Sequence, residues 1–542
     1  MYRSHYARLM SATYNVLVAD PIAETGIEEL KADPGLNTDV KLGRTEEEIL
    51  SDIAGYDAVI VRSQTKITPA VITAGEKLKV LGRAGVGVDN IDIPAATDSG
   101  IVVMNTPSGN TISTAEHAFT LMVSLCRNIP QAHASMAAGK WDRKKFQGME
   151  LNGKTLAILG MGRIGTEFAR RAMAFGIRVV AFDPYLSPNR ARVLRVELVD
   201  DLDDALREAD LITMHMPLTD ETRHMINEER IQNVLKPGAR IVNCARGGLI
   251  DEAALAVALE SGKVAGAALD VFENEPPPAD YPLLGLPNVV LTPHLGASTQ
   301  EAQENVGIEI ARQVRNYLVD GAVVNAVNTP SIDAETASQI GPYLTLTESL
   351  GRLLSQIAPR RSEVLRVNYS GKVSELDTTL ISRSALKGYL EAAATEASVN
   401  TINAPGVAAN LGLRFTESRV PDPQDFSDLI EVTAGNDDAT ATVAGTIFGG
   451  TSRIVRINGH NVEADPEGSL LLVKNTDVPG IVGHIGSILG GSGVNIAQMS
   501  LSRNKEGGTA LTVLNLDSVP PKSLKEGLEA VEGVVSTKLV CL

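Results

Sequence analysis

The chain has 542 residues, 44% of them hydrophobic, 3 cysteines and a formal net charge of −17; such a length exceeds one hydrophobic core and predicts about three or four domains. With a pI near 5.1 the overall field repels nucleic acid and anionic lipid, so an anionic ligand must find locally gathered cations. Cys126, Cys244 and Cys541 lack metal-ligand spacing and suit a reducing cytoplasm without disulfides, and no apolar run reaches the roughly 18 residues of a membrane span.

The opening MYRSHYARL contains no acid and no apolar leader core, and reads as a terminal extension with Met10 as an alternative start. From Asn15 to Thr106, short β-rich runs (NVLVAD, AVIVRS, KVLGRAG, IVVMNT) alternate with helical stretches, which predicts a parallel sheet covered by helices. STAEHAFTLMVSLCRNI reads as a helix capped by Ser113 or Thr114. A second βαβ series runs from KTLAILGMGRIG to NVVLTPHLG, and the following helix, with Ala302, Val306, Ile310 and Val314 on one stripe, is expected to return to the first unit. A linker is predicted near residues 327–335, then mixed helix and strand to about 455, then strand-helix-strand-strand-helix-strand, the split βαβ plan.

LGMGRIG places Gly160, Gly162 and Gly165 between an apolar strand and a helix, where glycines admit a pyrophosphate to the helix N-terminus. Asp183, at the end of the next strand, can accept from both adenosine ribose hydroxyls and repels a 2′-phosphate, so NAD is expected over NADP. His294 lies just past a strand end, and Glu275 is a candidate carboxylate for one of its ring nitrogens. In NCARGGLIDE, Arg246 sits at a strand tip before a helix; alone it would read as a solvated turn arginine.

Taken in order, GRAGVGVDNID, GMGRIG with Asp183, NCARGGLIDE, ALDVFENEPP and TPHLGAST resemble the D-isomer-specific 2-hydroxyacid dehydrogenase family, and KWDRKKF with the tail resembles its long-form members. The resemblance implies an α/β architecture with four parts. A Rossmann-like NAD domain (106–295) is inserted in a flavodoxin-like substrate domain (15–105 and 296–327); an α+β intervening domain (330–456) and a ferredoxin-like ACT domain (468–542) follow. It implies NAD-dependent oxidation of D-3-phosphoglycerate to 3-phosphohydroxypyruvate, the first step of L-serine biosynthesis.

By the same resemblance Arg246 grips the substrate carboxylate and C2 oxygen, His294 takes the hydroxyl proton, Glu275 orients His294, and Gly247 and Gly248 keep bulk away from the reacting centre. Family cofactor contacts fall on Val86, Arg163, Ile164, Cys244, Ala245, Arg246, Asp270, His294, Gly296 and Ala297. Arg62, Ser63 and Arg83, with Gly85 and Gly87, are expected to cradle phosphate and carboxylate. Arg143 is expected to reach a neighbouring subunit's site in a homo-oligomer, dimer or tetramer. In the ACT part, Asn475, Asp477 and Asn495 are the candidate contacts for an L-serine effector, and Arg453, Arg456 and His460 a weaker anion cluster. Two rival readings remain at this level: a dehydrogenase of glycerate, glyoxylate, lactate or 2-oxoglutarate, which would not need Arg62 with Arg83, and a non-catalytic NAD or amino-acid sensor, which would not need Arg246, Glu275 and His294.

Overall fold

The computed structural model describes residues 13–331, 334–391, 399–422, 425–503, 505, 507–521 and 523–542; both candidate start methionines lie outside them. The first sheet is parallel and comprises β1 (Tyr14–Val18), β2 (Leu36–Val40), β3 (Ala58–Val61), β4 (Val80–Arg83) and β5 (Val102–Asn105), in the order β2-β1-β3-β4-β5. Its central runs, such as AVIV in β3, are buried throughout because helices cover both faces. β2, with sequence LNTDV, lies at the edge and is half polar, so it carries no apolar signature. The helix Gln300–Asp320 buries Ala302 and carries Val306, Ile310 and Val314 into the core of this sheet, and residues 326–328 bond back to β5 through Val103 and the Asn328 side chain.

The second sheet comprises β6 (Thr155–Leu159), β7 (Arg178–Phe182), β8 (Glu197–Val199), β9 (Leu211–Met214), β10 (Ala239–Asn243), β11 (Val264–Leu269) and β12 (Val289–Leu291), all parallel, in the order β12-β11-β10-β9-β6-β7-β8. This is the Rossmann-like order, and the direction of progression reverses between β6 and β9, the crevice where open α/β sheets take their ligands. The helix Thr111–Arg127 packs on this sheet. Neither predicted cap serves as one: the N-cap is Asn110, Ser113 Oγ donates to the Asn110 carbonyl, and Thr114 Oγ1 donates to the Gly296 carbonyl 182 residues away.

The third sheet, β13 (Val364–Gly371), β14 (Arg414–Val420), β15 (Asp428–Gly435), β16 (Thr440–Phe448), β17 (Thr451–Ile457) and β18 (His460–Ala464), has the order β14-β13-β15-β16-β17-β18 and is parallel only between β13 and β14. Against it lie the helices Ala334–Ile357 and Thr379–Leu390, which approach closely because Gly351 and Gly388 each face the other helix's backbone, where a Cβ would overlap. The fourth sheet, β19 (Ser469–Thr476), β20 (Ile496–Arg503), β21 (Thr509–Leu516) and β22 (Val534–Cys541), has the antiparallel ferredoxin-like order β20-β21-β19-β22. Leu470, Leu472, Val513 and Val540 of this sheet share one core with Leu346 and Leu350 of the helix Ala334–Ile357. Among the described residues, no helix is long and apolar enough to cross a membrane.

Candidate active site

Where β6 ends, the chain turns through Gly160, with φ of 94°, and enters the helix Arg163–Ala174. The three glycines do different work. A Cβ on Gly160 would come within 2.6 Å of the His215 carbonyl oxygen, and one on Gly165 would overlap the Gly160 carbonyl, so both are needed for packing at the sheet's switch point. Gly162 alone faces open space, and as N-cap it offers no side chain to the first helical amides. Unpartnered amides behind a bare glycine are what a pyrophosphate requires. Asp183 follows β7; its Oδ2 accepts from Met161 N–H at 2.8 Å and its Oδ1 from Tyr185 N–H at 2.9 Å, which ties the acid to the glycine turn. Asp183→Ala is expected to lower kcat/KM for NAD about tenfold, the worth of about one charge-assisted hydrogen bond, while raising that for NADP; steady-state kinetics with both cofactors checks it.

The Arg246 turn is built by a residue that periodicity does not flag. Asn243, buried at the end of β10, donates Nδ2 to the Arg246 carbonyl at 2.7 Å and accepts from Ala245 N–H at 3.0 Å. Gly247 does not face the cavity, as the family likeness implies; its missing side chain lets the turn press on the Phe272–Glu273 backbone, where a Cβ would overlap the Phe272 carbonyl. Gly248, with φ of 81°, abuts Leu218. The arginine turn and the loop carrying Glu275 are therefore packed backbone to backbone.

His294 Nδ1 lies 2.7 Å from Glu275 Oε2, and Glu275 Oε1 accepts from Phe272 N–H at 3.1 Å. The Glu275 bond holds the imidazole above its ordinary range against the opposing effect of burial. Burial would raise the Glu275 carboxyl, but the bond and charge of His294 leave it below the usual carboxylate range. Because a carboxylate only accepts, the Glu275 bond puts the hydrogen on Nδ1, and a neutral His294 keeps its Nε2 lone pair.

A cavity of about 490 Å³ runs between the two parallel sheets and is lined by Val86, Gly87, Arg163, Ile164, Cys244, Ala245, Arg246, Asp270, His294, Gly296 and Ala297, with Gly162 at one end. Arg246 and His294 thus face one cavity, with Glu275 behind the imidazole. His215 and Met216 also line it; burial pulls the His215 imidazole down to about 3, which keeps it neutral. Gly160, Gly165 and Asp183 shape the cofactor turn outside this lining.

Arg83, at the end of β4, does not line this cavity but packs its guanidinium against Gly85. A Cβ on Gly85 would overlap its guanidinium, and one on Gly87 would overlap that of Arg246, so the two glycines admit the two cations. Arg83 Nε is buried without a hydrogen-bond partner, and burial, then the charges of Arg246 and Arg62, pull its pKa down to about 10. The Arg62 loop is set by Asp20, whose carboxylate accepts from Arg62 N–H at 2.6 Å and Thr65 Oγ1 at 2.6 Å, and by Asn90, which donates to the Arg62 and Thr65 carbonyls. Arg62 lines an adjacent hollow with Gln300 and Gln303, and Ser63 stands exposed beside it. Arg246 Nε donates to Asp89 at 2.9 Å, a carboxylate that lines the same cavity.

Three expected groupings lie outside this cavity. Arg143 sits on the exposed turn Arg143–Phe146, away from this chain's cavity. Asn475 is fully buried: its Nδ2 donates to the Thr476 carbonyl and its Oδ1 accepts from Thr512 at 3.0 Å, so its amide cannot meet an effector as expected. Asp477 accepts from Arg503, and Asn495 donates to Asp517 at 2.6 Å. Arg453 pairs with Asp465, and Arg456 with Asp425 at 2.9 Å, which neutralises the expected anion cluster.

Residues 119–296 match the family model for the D-isomer specific 2-hydroxyacid dehydrogenase NAD binding domain, residues 339–458 that for the D-3-phosphoglycerate dehydrogenase intervening domain, and residues 469–533 that for the ACT domain. A D-3-phosphoglycerate dehydrogenase of Archaeoglobus fulgidus is 44% identical over 527 residues, 97% of this chain and 99% of that protein. The chain belongs to the D-isomer-specific 2-hydroxyacid dehydrogenases. Its Bacillus subtilis relative of the same name is 42% identical over 98% of this chain and 100% of that one. Among solved members of the family, a glyoxylate reductase from Paecilomyes thermophila has 34% identity and a TM-score of 0.54 over 58% of this chain and 98% of its own. The D-lactate dehydrogenase of Aquifex aeolicus, complexed with NAD and lactic acid, has 28% identity and a TM-score of 0.52 over 58% of this chain and 100% of its own. This dehydrogenase therefore uses NAD, and the bare Gly162 N-cap, the helix behind it and Asp183 fit that cofactor.

Proposed function

We propose that this dehydrogenase oxidises D-3-phosphoglycerate to 3-phosphohydroxypyruvate with NAD, the first step of L-serine biosynthesis. The observation that carries the reading is the gathering of Arg62, Arg83 and Arg246, with a buried Arg83 Nε that has no partner, in a chain whose net charge is −17. Arg83 lies in the fields of Arg62 and Arg246, which Asp20 and Asp89 only partly offset, and a substrate carrying a phosphate as well as a carboxylate suits such a cluster better than a carboxylate alone. Arg246 holds the substrate carboxylate and the C2 oxygen, and Gly85 and Gly87 leave room for both. Bound along Gly162 and Asp183, NAD supplies the oxidant for the C2–H bond. His294 Nε2 accepts the C2 hydroxyl proton, and Glu275 stabilises the imidazolium that forms. The cofactor-facing roles of Val86, Arg163, Ile164, Cys244, Ala245, Asp270, Gly296 and Ala297 belong to the same proposal. In a reading as a dehydrogenase of unphosphorylated acids, Arg62 and Arg83 have no task. Replacing both with methionine is expected to reduce kcat/KM for phosphoglycerate by about 100-fold, two lost charge-assisted contacts, with little change for glycerate; equal losses on both substrates favour that second reading.

The oxidation needs neutral His294, so its rate rises with pH through the imidazole pKa. Since Glu275 raises that value, the limb lies above the ordinary value of about 6.5, and Glu275→Gln moves it to lower pH. In reduction the same limb has the opposite sign, because the imidazolium is the required form. A pH profile of kcat/KM in both directions checks this.

The domain limits proposed are 15–105 with 296–327, 106–295, 330–456 and 468–542. A homo-oligomer is supported by apolar side chains exposed along one stretch, Ile129, Met136 and Trp141, the last 79% exposed, next to Arg143; in it Arg143 faces the partner's cleft. Three free cysteines support a reducing, cytoplasmic setting. A response to L-serine would run through the ACT domain at exposed groups such as Asn495, without Asn475.

A further inference from the structure

On the helix Thr111–Arg127 two side chains one turn apart face the loop that presents His294. Thr114 Oγ1 donates to the Gly296 carbonyl at 3.2 Å, and His117 Nε2 lies 3.1 Å from Asp270 Oδ1 and 3.2 Å from Thr292 Oγ1. Asp270 is fully buried. Its Oδ1 accepts from Thr292 Oγ1 at 2.6 Å and Leu295 N–H at 2.8 Å, its Oδ2 from Gly296 N–H at 2.8 Å, and its carbonyl from His294 N–H at 2.9 Å. Asp270 therefore grips three consecutive amides around His294, whose φ of 55° lies in the left-handed region and must be held by its surroundings.

The network assigns the His117 hydrogen. A carboxylate only accepts, and Thr292 spends its hydroxyl hydrogen on Asp270, so it too offers His117 only lone pairs; Nε2 must carry the hydrogen. We infer that His117 is a positioning residue for His294: its Nε2–H, shared by Asp270 and Thr292, fixes the carboxylate that anchors the proton-transferring loop. Burial would raise the Asp270 carboxyl, and bonds from His117, Thr292 and the Leu295 amide hold it below the usual range. The charged groups in reach of His294 are Glu275 and Asp270, which raise it, and Arg246, which opposes them. The Asp270 charge also reaches Cys244, whose thiol is pushed well up, by burial first and then by Asp270. Among the described residues, His117 is thus the one donor to this carboxylate that comes from another element of the fold than the strand and loop it stabilises.

The inference rests on the proposed role of His294, and its test separates the two. In the NAD-free protein with 13C-labelled histidine, the His294 ring is titrated by NMR in wild type, His117→Leu, which removes the donor, and His117→Gln, whose amide reaches the same place. The Leu variant is expected to titrate His294 at lower pH and to lose kcat by about 10- to 100-fold, the scale of a small misplacement of a reacting group, with the kcat limb moved likewise; the Gln variant recovers most of both. A Leu variant that titrates and turns over like wild type, or a Gln variant as impaired as Leu, overturns the inference. Should Leu fail to fold, His117→Asn, too short to reach Asp270, takes its place against Gln. If wild type does not oxidise phosphoglycerate, the functional reading fails while the titration still decides the positioning.

Discussion

Arg246→Ala is expected to lower kcat/KM for D-3-phosphoglycerate by about 1,000-fold, or about 4 kcal/mol of transition-state stabilisation. The guanidinium stands in the cavity with its Nε on Asp89 and its Nη1 on the Ala245 carbonyl, while Nη2 lies over Gly87. Those bonds orient the fork before substrate arrives, which in the proposed mechanism is where its catalytic worth lies. Lysine supplies a point charge without the planar pair of donors, so Arg246→Lys is expected to remain impaired by about 100-fold. NADH affinity, read by fluorescence, should fall far less than turnover in either variant, because the glycine turn at Gly160–Gly165 follows β6, whereas Arg246 follows β10. A variant with unchanged turnover would remove the arginine from the chemistry.

The second large effect falls on the imidazole. His294→Ala is expected to reduce kcat by about 1,000- to 10,000-fold in both directions, the range for loss of a positioned acid-base group, and to abolish the pH limb that depends on it. In the proposed mechanism Glu275 acts only through His294, so the double variant His294→Ala with Glu275→Gln should be no slower than His294→Ala alone; a further loss would give the carboxylate a task of its own. Glu275→Gln alone keeps the ring but loses the charge that raises it and steadies the imidazolium, and should sit between wild type and His294→Ala.

The parallel sheets, the glycine turn and the His294, Glu275 and Arg246 trio were legible because each carries a local signal: apolar runs, glycines at fixed spacing, or family motifs. β2 escaped because an edge strand with Asn37, Thr38 and Asp39 has no apolar run to read. The residues that hold the site were the least visible. Asp20, Asn90, Asn243, His117 and Thr114 have partners that lie in other elements or around a tight turn, and nothing in their local spacing distinguishes them from ordinary polar residues. Ser113 and Thr114 looked like caps for the same reason: a hydroxyl near a helix start suits capping, but Thr114 instead meets Gly296 across the fold. Asn475 shows the reverse failure. The ACT resemblance made it a candidate effector contact, whereas it sits inside β19 opposite Ala510, with its amide spent on Thr512 and the backbone. Arg453 and Arg456 read as a cation pair in sequence, and folding brings acids to both.

The most direct test is NADH formation, followed by absorbance, with D-3-phosphoglycerate and D-glycerate supplied separately to the same NAD-loaded enzyme. The arrangement of Arg62, Arg83 and Arg246 predicts a kcat/KM for the phosphorylated acid at least about 100-fold higher, as two charge-assisted contacts to the phosphate would give. Equal rates on the two acids, or turnover of glycerate alone, would contradict it.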